Sequence, residues 1–229
     1  MTEEEQNAAR EQEARARAEY HRQQQEFMRQ QQELQGTINR ARQQAQERQQ
    51  AMDTMPRRKN VIIAAVDQMG GYSKDGKIPW NYPGDLKWFQ QQTTGHVCVM
   101  GKTTYLDLVD RLGEKAADSV LPNRKCFVVS STLNQNEVKN AIVIKSIYDV
   151  EMHLTEEDVE KRVYFIGGGG IFRAALSLVD VVVLTTINKV FDCDKSFPYH
   201  ELTKLFSVNR VLKNDSDEDL RFVEFVRKQ

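Results

Sequence analysis

The sequence predicts an α/β domain with a mostly parallel, mixed central β-sheet of about eight strands flanked by helices, and a long N-terminal helix before it. Three observations predict this. From residue 60 onward, short apolar runs of strand length alternate with stretches of helix length, the order that builds a parallel sheet with helices on its faces. Gly, Pro and Asn punctuate the joints between these segments, as turns require. The composition also breaks sharply at residue 59. Residues 1–59 hold fourteen Gln, eleven Lys+Arg and ten Asp+Glu, so that stretch cannot bury a core of its own. Residues 60–229 carry nearly all the Val, Ile, Leu, Phe and Tyr and have the usual size of one domain.

Residues 2–52 contain no Pro and a single glycine, Gly36, and are rich in Ala, Gln, Glu and Arg, all good helix formers. They read as a long helix, with a break expected near Gly36-Thr37. Phe27, Leu34 and Ala41 repeat at seven, as do Ile38, Ala45 and Met52, which makes a thin coiled-coil seam. The same register places Gln24, Gln31 and Arg48 on the seam, so it is too polar for a strong autonomous coiled coil. The segment is either disordered or frayed by itself, or a tether that docks on a protein partner or self-associates.

The domain opens with Asn60–Val66, a continuous apolar run of the kind a strand buried on both faces requires. A loop punctuated by Gly70, Gly71 and Gly76 follows. Pro83 then opens a helix to about Gln92, Pro being favoured in a first turn. Residues 96–100 read as the second strand and 103–111 as a helix. Lys125–Val129 and residues 141–144 read as the next two strands. Ser146 can cap a short helix to about Leu154. Residues 163–166 form a fifth strand, ending at four glycines, Gly167 to Gly170, with a helix over 171–177. Val181–Ile187 is the sixth strand, and 206–212 with 220–226 close the chain as an antiparallel hairpin.

A net charge of −1 gives no global field toward nucleic acid or membrane, and the basic run Arg57-Arg58-Lys59 reads as a solvated hinge. Three cysteines, Cys98, Cys126 and Cys193, are an odd number without metal-ligand spacing, which points to reduced thiols and a cytoplasmic compartment. No apolar run approaches the ~20 residues that span a bilayer.

Two motifs come close to phosphate-binding signatures. Gly101-Lys102-Thr103 resembles the end of a P-loop, but His96 stands where that motif needs its first glycine. The four glycines follow a strand and precede a helix, as backbone amides approaching a phosphate would, yet Phe172 occupies the third glycine position of the dinucleotide fingerprint. That turn serves either an anionic ligand or close packing of helix on strand. Asp85, among Trp80, Leu86, Trp88 and Phe89, is either a helix cap or a carboxylate in an apolar cleft, able to grip an amidine-like ring edge through paired hydrogen bonds.

Taken together these segments resemble the dihydrofolate reductase family. Ile78-Pro79-Trp80-Asn81-Tyr82-Pro83-Gly84-Asp85-Leu86-Lys87-Trp88-Phe89 is similar to the stretch joining that family's mobile loop to its first helix. Val99-Met100-Gly101-Lys102-Thr103-Thr104-Tyr105 resembles its second strand and cofactor turn, and Leu121-Pro122-Asn123-Arg124 its Leu-Pro-Gly-Arg element. Val129-Ser130-Ser131, Ile166-Gly167-Gly168-Gly169, Leu184-Thr185-Thr186-Ile187 and Asp194-Lys195-Ser196-Phe197-Pro198 follow in the family's order. The resemblance covers about residues 60–229 and leaves residues 1–59 without a counterpart.

The resemblance implies an NADPH-dependent reduction of dihydrofolate, inhibited by antifolates such as methotrexate. It implies that Asp85 grips the pterin and promotes protonation at N5, with Thr185 supporting it and Trp80 and Ile78 closing the site. Ile63, Phe89, Leu108 and Ile166 would line the substrate pocket, and Arg124 would pair with the substrate's α-carboxylate. Ala65, Gly101, Lys102, Thr103, Thr104, Ser130, Ser131, Gly167, Gly168 and Gly169 would hold the cofactor, with Lys102 and Ser131 at its 2′-phosphate. Gly170 and Lys102 replace arginines of some members, Phe172 a tyrosine and Asn123 a glycine. The competing readings are a reductase-like domain recruited through residues 1–59 into a larger particle such as a virion, and a riboflavin-pathway pyrimidine reductase of the same fold.

Overall fold

The computed structural model describes residues 59–117, 119–213 and 217–228, together with Gln35, Gly36, Asn39 and Gln43. Those last four are helical, Gly36 included, and Gln35 donates to the Asn39 side chain at 3.2 Å. The rest of the expected N-terminal helix, its seam and Arg57-Arg58 lie outside the described residues.

Arg58–Gln229 form one compact unit. Its eight-stranded sheet is built from β1 (Asn60–Val66), β3 (Val97–Gly101), β4 (Lys125–Val129), β5 (Ile142–Ile144), β6 (Val163–Gly167), β7 (Val181–Ile187), β9 (Phe206–Lys213) and β10 (Leu220–Arg227), in the spatial order β5-β4-β3-β6-β1-β7-β10-β9. The contacts among β1 and β3 to β7 are all parallel. β10 runs antiparallel to both β7 and β9. Four α-helices join the strands: α1 (Pro83–Thr93), α2 (Lys102–Leu112), α3 (Gly169–Ala175) and α4 (Tyr199–Leu205).

The central strands read as unbroken apolar runs because both faces of the sheet are covered. Successive side chains point to opposite faces, and the core divides accordingly. Ile62, Val97, Val99, Phe127, Phe165 and Leu184 pack in one cluster. Their neighbours Val61, Ile63, Cys98, Met100, Cys126, Tyr164 and Val183 pack in the other. Cys98 and Cys126 are thus core residues with free thiols.

Three elements have no signature in the sequence pattern. β2 (Gly71–Ser73) and β8 (Lys195–Ser196) pair as a small separate sheet, too short to show a period. α4, seven residues long, is the third. The helix expected after Ser146 is a 3₁₀ helix, Ile147–His153, and the Ser146 hydroxyl accepts the Tyr148 N–H as a cap.

Strand order fixes where a ligand can sit. β1 lies between β6 and β7, while the chain after it moves first to β3 on the far side of β6. In open parallel sheets ligands bind at such a reversal, outside the carboxyl ends of the strands. Here those ends are Ala65, Gly101, Val129 and Gly167.

Candidate active site

All four strand ends line one pocket of about 950 Å3. α2 begins directly after Gly101, so Lys102, Thr103 and Thr104 present its first turn to the pocket. The glycine turn faces it. A side chain on Gly167 (φ 117°) would meet the Phe172 ring at 3.0 Å, and the Cβ position of Gly168 lies 3.6 Å from Thr104 Oγ1. The turn and the start of α2 therefore approach each other backbone to backbone, a cradle of N–H groups suited to an anion.

The charge of the pocket agrees. Lys102 Nζ donates to Thr132 Oγ1 at 2.9 Å and Lys145 Nζ to the Leu133 carbonyl at 3.3 Å, so two cations converge on one turn. Neither they nor Arg173, also in the pocket wall, forms an ion pair with a carboxylate among the described residues. Lys145 and Arg173 carry no motif in the sequence; Lys145 is legible only as the residue just past the carboxyl end of β5. Ser130 is placed differently from a ligand-facing serine. It is buried, and its hydroxyl accepts the N–H groups of Thr132 and Leu133 at 3.2 and 2.9 Å, holding the turn that receives the lysines. Ser131 is exposed and lies outside the pocket lining.

A second region adjoins the first through Ile166. This side chain lines the pocket and also packs against the cluster that holds Ile63, Phe89 and Leu108. Phe89 is one turn beyond Asp85 on α1, so the two share a face. Asp85 does not cap its helix: the N-cap residue is Tyr82, without a side-chain cap bond. The carboxylate instead lies near the Thr185 hydroxyl, which favours its charged form. Burial pushes the Asp85 carboxyl up from its ordinary value, and the Thr185 hydrogen bond pulls it partly back. Thr185 is fully buried in β7 and is the direct register partner of Ala65. One step across the sheet therefore separates the residue holding Asp85 from a residue lining the anion pocket.

Arg124 follows Asn123, whose φ of 61° makes the turn. Its Nε donates to Thr93 Oγ1 at 2.8 Å, Nη2 to Thr94 Oγ1 at 3.0 Å and Nη1 to the Pro122 carbonyl at 2.7 Å. The guanidinium lies 5.8 Å from the Phe89 ring centroid. Three of the five N–H donors of an arginine are thus used to fix its plane, and it has no carboxylate partner among the described residues. Trp80 does not line the pocket itself but is buried with Ile187 and Leu220 in a cluster that packs against the pocket residue Ala65, 5.1 Å from the Phe191 ring centroid. Ile78 is exposed on the loop at the pocket wall.

The family model for dihydrofolate reductase matches residues 59–227, nearly the whole of this unit. The chain belongs to the dihydrofolate reductase family. Its relatives include the dihydrofolate reductase HdrB of Haloferax volcanii, 31% identical over 172 residues that make up 74% of this chain and 84% of the relative. The Haemophilus influenzae dihydrofolate reductase is 29% identical over 170 residues, 73% of this chain and 98% of the relative. Among solved structures, a dihydrofolate reductase from Enterococcus faecalis complexed with NADP(H) and RAB-propyl superposes with a TM-score of 0.61 at 25% identity, covering 75% of this chain and 97% of that one. Among the described residues no helix is long and apolar enough to cross a membrane.

Proposed function

We propose that the chain reduces dihydrofolate with NADPH, the reaction of the family to which it belongs, with NADPH held in the anion pocket and Asp85, Thr185 and Arg124 holding the substrate in the cleft beside it. The observation that carries this is the Asp85–Thr185 contact one strand position from Ala65. It sets a carboxylate in an apolar wall next to a nucleotide-sized cavity.

The pocket fits a phosphorylated dinucleotide. It offers a glycine cradle, a helix start and unpaired cations, in a volume large enough for both halves of the molecule. Gly167, Gly168, Gly169, Thr103 and Thr104 would hold the diphosphate, and Lys102 with Lys145 the 2′-phosphate. NADPH supplies the hydride that reaches pterin C6, while a proton reaches N5. Asp85 keeps one side of its carboxylate on Thr185 and offers the rest to the N–H groups of the pterin edge, a charge-assisted pair. Its raised pKa makes the proton available nearer to neutrality. Ile63, Phe89, Leu108 and Ile166 hold the ring flat and exclude water. The two remaining N–H donors of Arg124 take the α-carboxylate of the substrate.

The test is cofactor oxidation, followed in the nicotinamide absorbance band, with dihydrofolate present and with or without methotrexate. Methotrexate-sensitive turnover is expected. A folded protein that neither turns over nor binds methotrexate would overturn the assignment.

A further inference from the structure

Tyr72 belongs to the pocket, yet none of the roles above uses it. It stands in the middle of β2, between the loop that follows β1 and the small strand β8. Its ring meets Phe172 edge-on, with centroids 5.5 Å apart and an interplanar angle of 86°. That contact aims the hydroxyl at the glycine turn. A Cβ on Gly169 would collide with Tyr72 Oη, so the hydroxyl lies directly against the Gly169 backbone. Gly169 is therefore required to lack a side chain by this hydroxyl and by no other nearby group, since the next closest atom also belongs to Tyr72.

The phenol O–H carries one donor to place. Among the described residues no acceptor takes it. Tyr72, Gly168, Gly169 and Thr104 line the same pocket. Any ligand anion seated there comes within reach of an O–H already oriented by the protein.

We propose that Tyr72 is a positioning residue for the cofactor's diphosphate, its hydroxyl held against the Gly169 backbone by the ring contact with Phe172 and donating to a diphosphate oxygen. This rests on the reductase reading, because it needs the dinucleotide in this pocket. It also gives the loop after β1 a direct bond to the cofactor, so that cofactor binding and loop position are linked.

The experiment titrates NADPH, and separately 2′-AMP, which has no diphosphate, into the full chain and its Tyr72→Phe variant, following intrinsic fluorescence. Phe keeps the ring against Phe172 and removes only the O–H. The dissociation constant for NADPH should rise about tenfold, as loss of one hydrogen bond to a charged group requires, while that for 2′-AMP moves less than about twofold. The KM for NADPH should rise more than kcat falls. Equal NADPH affinity in the two proteins, or an equal loss for 2′-AMP, overturns the proposal. Should Tyr72→Phe not fold, Tyr72→Met, which also lacks the O–H, must weaken NADPH more than 2′-AMP; equal effects would overturn the proposal in the same way. Wild-type chain that binds no NADPH would sink the reductase reading and this role with it.

Discussion

At the scale of single residues, the site depends on a carboxylate that is held where it is uncomfortable. Burial raises the Asp85 pKa above its ordinary value, so the folded chain holds that proton more tightly than the unfolded one. Ionising it then costs stability as pH rises between the two values, and the cost is fully present above the folded pKa. Asp85→Asn removes the charge and keeps the shape. It should melt higher than wild type at neutral pH, with the difference fading below the ordinary carboxylate range; an equal difference at every pH would contradict the cause given for the shift. The same substitution should lower hydride-transfer turnover by a factor on the order of 10² or more, as loss of a proton-transfer aid does. Rates within threefold of wild type would remove Asp85 from its role. Arg124 makes a complementary case. Its three anchoring bonds position it, and Arg124→Ala should raise the dihydrofolate KM several times more than the NADPH KM. An equal loss for both ligands would mean that the guanidinium only braces the turn at Thr93 and Thr94.

At the scale of elements, the loop between β1 and α1 is held from two sides. Toward β8, Asp194 Oδ2 accepts the Asp75 N–H at 3.0 Å and the Asp194 N–H donates to the Ser73 carbonyl at 2.9 Å, while Asp67 accepts the N–H groups of Met69, Gly71 and Phe191. Toward α2, Lys77 pairs with Asp110 at 2.9 Å, an exposed contact of small weight. The first set is therefore the stronger clasp. Asp194→Ala should speed amide exchange over residues 72–76 and leave β1 and β7 protected, and it should lower kcat by about ten- to a hundredfold through misplacement of the pocket wall. Unchanged exchange in the loop would show that the clasp is redundant. This loop also marks the limit of what the sequence could tell. Val181–Ile187 and Lys125–Val129 were legible to the residue, because a strand buried on both faces leaves an unbroken apolar run. The hairpin of β9 and β10 was legible for a related reason. β2 and β8 were not, since three residues and two residues carry no period and their pairing is set by Asp67 and Asp194 across more than a hundred positions. In the site, Asp85 stood out through its apolar neighbours, but the sequence could not choose between cap and ligand; the structure removes the cap, since Tyr82 is the N-cap residue and no side-chain cap bond forms, and the ligand role is the proposal made above. Tyr72 was missed because β2 pairs with β8, remote in the chain, and Lys145 because it lies just past β5 with no motif around it.

At the scale of the whole molecule, Arg58–Gln229 close on themselves. The Lys59 carbonyl accepts the Val163 N–H at 3.3 Å, and the Asn60 carbonyl accepts the Asp180 N–H at 3.0 Å, so the sheet's first bonds begin at the boundary where composition changes. The other end is bolted independently. The Arg227 guanidinium donates to the Leu176 and Val179 carbonyls at 2.6 and 2.8 Å and lies 4.7 Å from the Phe206 ring centroid. All three clusters of the core and every residue assigned to the site belong to this unit, and the family match begins at residue 59. We therefore propose that residues 1–58 act as a tether, carrying association and not catalysis. A chain beginning at Lys59 should fold, with kcat and both KM values within about twofold of the full chain, because no core side chain or site contact described above is removed. Its apparent mass in solution, measured by light scattering against the full chain, should fall to that of a single unit if the extension self-associates. Loss of turnover in a truncated chain that still melts cooperatively would place the extension inside the catalytic unit and overturn the division at residue 59.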